Sequence, residues 1–300
     1  MIRVGQFVLS APDFRRQLRF RAREFRSTPI AGEKTYDMHE RAEIIRTESV
    51  TKRFGAQVAV NKVDYLLLEN EVAGIIGSNG AGKTTFFNLL TGYYPPDEGI
   101  IRFRGEDATR MTPQERVARG MMRTFQLTAT FDNLSLIDNL VLAFFRAYKK
   151  ATLARLLFNA SRAYRNEARI LEALETFNLQ DLREKQVKHL SLGEKRRLEI
   201  AMAVLARPKV LLLDEPLAGL AESEIQGVLE VLRKHVGSQT ILIVEHKISH
   251  MQGFLERLTV MHEGRVIADG DCDECLRHPE VRRSYWQIDV RVEASRSLVL

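Results

Sequence analysis

Cysteine is scarce in this 300-residue sequence, which contains only Cys272 and Cys275. Two cysteines cannot form the disulfide framework of a small secreted domain, and such sparse usage is typical of a reducing compartment. Long hydrophobic runs are also lacking. The strongest of them, such as residues 241–244, have the length of a strand and not the roughly 20 residues that a membrane-spanning helix needs. The sequence therefore predicts a cytosolic chain that reaches a membrane only through a partner.

Most of the chain lacks an excess of charge of either sign. The net charge is +6, but residues 1–30 hold seven arginines against two acidic residues, so the remaining 270 residues carry only +1. A body this close to neutral gives little electrostatic attraction for nucleic acid, and we expect no nucleic-acid partner. The composition, 45% hydrophobic and 28% charged, is that of a globular protein with a packed core.

The sequence predicts three regions, of which the first is the arginine-rich start. Residues 1–41 are expected to form a basic, weakly ordered extension, because termini are often poorly ordered unless they dock. A membrane-surface helix, a targeting peptide and a true start at Met38 are alternatives. Residues 42–288 are expected to form the functional domain, followed by a tail at 289–300 without a recognisable function.

The functional part alternates between strand-like and helix-like segments. Strands are predicted at residues 44–50, 58–68 and 72–76, followed by a helix from Lys83, and again at 210–213 and 240–244. Short apolar strands of this kind are typical of a buried parallel sheet, which indicates an α/β fold. Between them, Ile170, Leu174 and Phe177 have helical spacing, so a helical insert is expected at about 127–190.

The sequence Gly-Ser-Asn-Gly-Ala-Gly-Lys-Thr at residues 77–84 matches the phosphate-binding pattern G-x-x-x-x-G-K-[ST]. It lies between a predicted strand and a predicted helix, which is the context that the pattern requires. The glycines allow backbone N–H groups to point inward, and the helix adds its positive end. Lys83 is expected to reach the β- and γ-phosphates of a nucleotide, and the Thr84 hydroxyl to help hold Mg²⁺.

Two acidic residues follow the apolar strand at 210–213. Asp214 is expected to organise Mg²⁺, and Glu215 to orient the water that attacks the γ-phosphate. Strand alternation would point the two side chains to opposite sides, which explains the division of roles.

A third motif, Leu-Ser-Leu-Gly-Glu at residues 190–194, precedes a helix in which Ser191 holds the N-cap position. The order phosphate loop, Gln126, this motif, Asp214-Glu215, His246 resembles the ATP-binding cassette (ABC) ATPases over about residues 44–286. The resemblance implies a P-loop NTPase (RecA-like) core with an antiparallel β-subdomain and a helical subdomain.

The same resemblance implies site residues, with ATP and Mg²⁺ as cofactors. Phe54 would stack on adenine, Gln126 would link the nucleotide to a transmembrane partner, and His246, after the last core strand, would contact the γ-phosphate. Ser191 and Gly193 of one subunit would close on the ATP of another. The nucleotide-binding residues are then Phe54, Gly77, Ser78, Asn79, Gly80, Ala81, Gly82, Lys83, Thr84, Thr85, Ser191, Gly193 and Glu194; the catalytic ones are Glu215, His246 and Gln126, and the metal ligands are Thr84, Gln126 and Asp214.

Motifs such as Arg123-Thr124-Phe125-Gln126 and Val244-Glu245-His246 resemble the ATP-binding subunits of branched-chain amino acid importers, and nearly as closely those of urea and amide importers. This implies an ATPase on the cytoplasmic face of the membrane. Its partners would be permease subunits, a second copy or a related ATP-binding subunit, and indirectly a periplasmic or extracellular solute-binding protein. Ala221 departs from the Asp or Asn that the family usually has at this position, which bridges the two nucleotide sites.

Two other functions remain open. A lipopolysaccharide-export-type ATPase shares the third motif and the tail. An ABC ATPase acting on DNA or the ribosome is less favoured, because Gln126 and Ser191 are only 65 residues apart, too close for a long coiled-coil insert, and the chain has one cassette. Cys272-x-x-Cys275 with His278 lacks the four ligands of a structural zinc site, so a surface turn entering a helix is expected there.

Overall fold

A computed structural model of the protein describes residues 41–124, 130–148, 164–246, 250–251 and 253–285. The strands are β1 (Glu43–Phe54), β2 (Gln57–Leu68), β3 (Val72–Gly77), β4 (Glu98–Phe103), β5 (Glu106–Asp107), β6 (Met121–Arg123), β7 (Val210–Asp214), β8 (Thr240–Val244), β9 (Arg257–His262) and β10 (Arg265–Gly270). The helices are α1 (Lys83–Thr91), α2 (Pro113–Ala118), α3 (Leu136–Tyr148), α4 (Ala168–Thr176), α5 (Leu192–Leu205), α6 (Glu222–Arg233), α7 (Cys272–Arg277) and α8 (Pro279–Tyr285), with 3₁₀ turns at Gln180–Leu182 and Val187–His189.

The strands form two sheets. The larger has the order β10-β9-β3-β8-β7-β6, and all neighbouring strands in it are parallel except β10, which pairs antiparallel with β9. The smaller sheet, β2-β1-β4-β5, is antiparallel throughout. The α/β core with an antiparallel β-subdomain is therefore confirmed. One detail was wrong: the strand at 240–244 is not the last of the core, since β9 and β10 follow it in the same sheet.

Buried apolar runs made three strands easy to predict. The observed β3, β7 and β8 agree with the predicted segments to within one residue, because every residue in them is buried. The first strand was predicted too short. It continues to Phe54 because its hairpin with β2 extends to the pair Phe54 and Gln57, where pairing and not burial keeps the chain extended.

Both faces of the larger sheet are covered. In β7, Leu211 and Leu213 belong to the hydrophobic cluster that includes residues of α3, α4 and α5. The alternate residues Val210 and Leu212 pack with α1 and the antiparallel sheet. A sheet buried on both faces explains why its strands are continuously apolar. The phosphate loop, the Asp214-Glu215 pair and His246 follow the carboxyl ends of β3, β7 and β8, so they lie at one end of this sheet.

The helical segment between β6 and α5 contains α3, α4 and the two 3₁₀ turns in its described part. Ile170, Leu174 and Phe177 are all buried in the cluster, which confirms the apolar face inferred from their spacing. The boundaries of the helical subdomain at about 127–190 stay a prediction.

The extension and the tail fall almost wholly outside the described residues, which start at Arg41 and end at Tyr285. Arg41 belongs with the domain and not with the extension, because its guanidinium lies 2.6 Å from the Glu256 carboxylate. None of the helices in the described ranges combines the length and apolar character that crossing a bilayer requires.

Candidate functional site

The phosphate loop connects β3, which ends at Gly77, to α1, which begins at Lys83. Its N-cap, Gly82, has a φ of 95°, and a Cβ there would lie 2.3 Å from the Ala59 carbonyl oxygen, so this turn requires glycine. No side chain caps α1 and no acidic residue lies in its first turn. The N–H groups and the positive end of α1 are therefore available to an anion.

The Lys83 side chain is buried inside this loop. Its ammonium group donates hydrogen bonds to the carbonyl oxygens of Gly77 (2.7 Å) and Ser78 (3.0 Å) and lies 3.4 Å from His246 Nδ1. Burial lowers the pKa of Lys83, while the nearby carboxylates of Glu215 and Asp214 oppose this shift.

A cavity of about 320 Å³ opens beside the loop. Its lining brings together predicted nucleotide-binding residues that are far apart in the sequence. The predicted nucleotide-binding residues in the lining are Phe54, Asn79, Gly80, Ala81, Gly82, Lys83, Thr84 and Thr85. The predicted catalytic residue His246 also lines the cavity, as do Gln57 and Ala59, which were not predicted, whereas Gly77 and Ser78 do not. Ser191, Gly193 and Glu194 are not part of this lining.

Phe54 stands at the rim of this cavity with 45% of its surface exposed. The ring of Tyr94 supports it edge-on at a centroid distance of 5.5 Å, and the Lys52 ammonium lies 5.8 Å from its centroid. An exposed aromatic face at this place can stack on a nucleobase.

The two acidic residues after β7 differ in environment. Asp214 ends the strand and is fully buried, whereas Glu215 is partly exposed and its carboxylate lies 2.8 Å from His246 Nε2. We expected strand alternation to point these two side chains to opposite sides, and this explanation was wrong. Glu215 has a φ of 46° and already lies outside the strand, so the turn directs its side chain.

Asp214 has a free oxygen that suits a divalent cation. Burial raises the pKa of Asp214, opposed by its ion pair with Arg123. Arg123 engages only Oδ2, at 2.6 Å, and Oδ1 is buried with no hydrogen-bond partner among the described residues. Thr84 is exposed at the start of α1. A carboxylate and a hydroxyl are hard oxygen ligands of the kind that Mg²⁺ takes, so these residues fit the cation. Gln126 lies outside the described residues.

Arg123 is a residue whose role the sequence analysis missed. Its Nη1 donates to Asn88 Oδ1 at 2.6 Å, and its guanidinium stacks on the rings of Phe87 and Tyr93. It therefore joins β6, α1 and Asp214. Its place three residues before Gln126, at the end of a strand, was the available signal.

Glu245 is a second missed residue. Its buried carboxylate accepts hydrogen bonds from the N–H groups of Leu217 (2.8 Å) and His246 (3.2 Å), and so connects the loops that follow β7 and β8. Burial raises the pKa of Glu245 to about 7, although the two N–H groups act in the opposite direction.

The third motif forms a capped turn at the start of α5. The Ser191 hydroxyl accepts from the Glu194 N–H at 3.2 Å, and the Glu194 carboxylate accepts from the Ser191 N–H at 2.7 Å. This capping box confirms Ser191 as the N-cap. It also occupies the Glu194 carboxylate, whose part in nucleotide binding stays a prediction. Ser191 and Leu192 are exposed, so the turn faces solvent.

Cys272 and Cys275 do not lie in a surface turn. Both are buried within α7, and burial raises the pKa of their thiols to about 11 and about 12. They pack in the hydrophobic core, where burial disfavours the reactive thiolate.

Comparison with known proteins gives concordant results. The sequence family described as ABC transporter matches residues 60–218. The chain is 34% identical over 248 residues to the high-affinity branched-chain amino acid transport ATP-binding protein BraF of Pseudomonas aeruginosa, covering 81% of this chain and 97% of BraF. It is 36% identical to the LivG protein of the same description from Escherichia coli, with the same coverage. The ADP conformation of MJ1267, an ATP-binding cassette of an ABC transporter, superposes with a TM-score of 0.70 at 30% identity, covering 82% of this chain and all of MJ1267.

Proposed function

This chain belongs to the ABC transporter family and is an ATPase, and on that basis we propose that it energises a multi-subunit importer of branched-chain amino acids or of a related small polar solute such as urea. The observation that carries the proposal is the identity of 34–36% to two branched-chain amino acid transport ATP-binding proteins over nearly their whole length. The chain would act at the cytoplasmic face of the membrane, bound to permease subunits, with a solute-binding protein on the other side.

The geometry supports hydrolysis by charge and position. The loop N–H groups and Lys83 would bind the β- and γ-phosphates, and Phe54 would stack on adenine. Asp214, Thr84 and Gln126 would hold Mg²⁺, which neutralises charge on the phosphates when bound. Glu215, held by His246 at 2.8 Å, would orient the attacking water and accept its proton.

One subunit supplies only part of this site. Ser191, Gly193 and Glu194 are absent from the lining of the cavity, and they form a helix N-terminus at which Ser191 is exposed and Gly193 is buried. Two cassettes arranged head to tail would place the Ser191 turn of one against the γ-phosphate bound by the other, and ATP would then join them. The partner cassette is a second copy or a related ATP-binding subunit.

Reconstitution tests the proposal. The chain is co-expressed with candidate permease subunits, and the membrane complex is purified and placed in vesicles with a matching solute-binding protein. We expect the chain to co-purify with the permeases and to drive ATP-dependent uptake of labelled leucine or urea. A chain that joins no membrane complex, or a complex that transports neither class of solute, would overturn it.

A further inference from the structure

The exposed turn that begins α5 is already in contact with a carboxylate from α6. Glu224 Oε1 accepts a hydrogen bond from the Ser191 hydroxyl at 2.8 Å and another from the Gly193 N–H at 3.0 Å. Its second oxygen accepts from the Ala221 N–H at 3.2 Å. The groups that the proposed function assigns to a phosphate are thus engaged by an anionic group of the same chain.

Glycine at position 193 makes this contact possible. A Cβ on Gly193 would lie 2.8 Å from both Cβ and Oε1 of Glu224, closer than real side-chain carbons approach. The backbone of Glu224 is fixed in the first turn of α6, so a larger residue at 193 would force the carboxylate away from the turn.

The contact uses the only proton that the Ser191 side chain can donate. A hydroxyl has one donor, and the Ser191 oxygen already accepts from the Glu194 N–H. The Ser191 hydroxyl therefore cannot donate to a phosphate while it donates to Glu224. The bond from Ser191, followed by the bonds from Gly193 and Ala221, lowers the pKa of Glu224, so this side chain is an anion at neutral pH.

We propose that the Glu224 carboxylate occupies the γ-phosphate position of the Ser191 turn and must be displaced before two cassettes close on ATP. This inference rests on the proposed pairing of cassettes. A carboxylate and a phosphate oxygen compete for the same hydroxyl and the same N–H, and their like charges exclude both from the turn at once. Glu224 thereby raises the ATP concentration at which two cassettes pair. The carboxylate leaves the turn only when a partner cassette presents the γ-phosphate of its bound ATP.

A first experiment measures pairing directly. In the Glu215→Gln background, which prevents hydrolysis, the ATP concentration for half-maximal dimer formation is measured by analytical ultracentrifugation, with and without Glu224→Gln. Loss of a charge-assisted competitor should lower that concentration about tenfold.

The matched control is Glu222→Gln. Glu222 lies in the same first turn of α6 and carries the same charge, but its carboxylate lies 3.3 Å from His250. We expect this change to move the midpoint, the ATP concentration for half-maximal dimer formation, by less than about twofold. The charge lost from Glu222 does not contact the Ser191 turn and so acts on it only weakly, because salt screens it. A Glu224→Gln midpoint equal to that of Glu222→Gln, or above it, would overturn the inference.

A second experiment reads the contact without ATP or pairing. Ser191→Cys places a thiol at the turn, and its pKa is obtained from the pH dependence of alkylation. Cys272 and Cys275 are buried, with the pKa of each raised above 10, so the introduced thiol reacts first. Adding Glu224→Gln should lower its pKa by about one unit or more, because an adjacent carboxylate disfavours the thiolate.

The two experiments separate the possible failures. If no variant pairs with ATP, the proposed pairing has failed, and an unchanged thiol pKa would show that Glu224 does not hold the turn either. If the thiol pKa falls and the midpoint also falls, Glu224 is the displaced group. A lower thiol pKa with an unchanged midpoint would overturn the competition with phosphate.

Discussion

At the residue scale, the charged and polar side chains around the phosphate loop lie in contact with one another. Glu215 lies against His246, which lies 3.4 Å from Lys83, and Asp214 lies against Arg123. Each charged group therefore depends on a neighbour for its position, and replacing one of them has a specific consequence.

Glu215→Gln should reduce the turnover number at least about 100-fold, because a neutral amide cannot accept the proton of the attacking water. ATP affinity should change less than about threefold, since no phosphate contact is removed. Steady-state phosphate release and equilibrium binding of a fluorescent ATP analogue measure the two quantities. Undiminished hydrolysis would contradict the role assigned to Glu215.

Lys83→Ala should weaken ATP binding itself by about tenfold or more, because it removes the cation that the loop directs toward the phosphates. Titration calorimetry checks this, with Lys188→Ala as the control because Lys188 is exposed in the 3₁₀ turn away from the cavity. Equal affinities for the two variants would contradict the assignment of the phosphate site.

At the element scale, the parallel sheet places the ends of four strands at one edge, and polar side chains connect the loops that leave it. Arg123 joins β6 to β7 and α1, and Glu245 joins the loops after β7 and β8. These connections are internal to the fold, so their loss should affect stability as well as catalysis.

Arg123→Met should lower the free energy of unfolding by about 3 to 5 kcal/mol, because it leaves the buried Asp214 carboxylate without its partner. Urea denaturation measures the loss. In a double-mutant cycle with Asp214→Asn, the two changes together should cost less than the sum of their separate effects. Additive losses would show that the ion pair has no energetic coupling.

Glu245 should make stability fall with rising pH. Its folded-state pKa of about 7 lies above the ordinary value of 4.5, so between these values the folded chain binds more protons than the unfolded chain. The contribution of the Glu245 carboxyl to the free energy of unfolding is fully present below about pH 4.5. It is lost as the pH rises to about 7, and the loss amounts to about 3 kcal/mol at most.

Unfolding of Glu245→Gln at about pH 5 and about pH 8 tests this. The variant should gain stability relative to the unmutated chain by up to about 3 kcal/mol over that range, while exposed Glu230→Gln should not. Parallel pH profiles for Glu245→Gln and the unmutated chain would contradict the raised pKa.

How much of the fold and of the candidate site could be predicted from the sequence depends on how far apart the interacting residues are along the chain. The phosphate loop and the buried strands were predictable, because motif spacing and apolar runs are local. The left-handed backbone of Glu215 breaks strand periodicity where the site needs a turn. The contact of Glu224 with Ser191 joins residues 33 positions apart, and that of Arg123 with Asp214 joins residues 91 apart. Only the packed sheet and helices create such pairs.

At the scale of the whole molecule, the proposed pairing gives one cassette two incomplete halves of an active site. The cavity beside Lys83 would bind the nucleotide, and the Ser191 turn would complete the site of a second copy. Two variants therefore have complementary defects. Lys83→Ala damages the phosphate loop and leaves the Ser191 turn intact, whereas Ser191→Glu places a second carboxylate at the turn and leaves the loop intact.

Mixing these two variants tests the central claim most directly. Each alone should hydrolyse ATP at under about 1% of the unmutated rate, because every site in its dimer lacks one half. In an equal mixture, half of the dimers contain one intact site, so activity should return to about a quarter of the unmutated rate. A mixture as inactive as its components, or full activity of Ser191→Glu alone, would contradict a site shared between two copies of this chain.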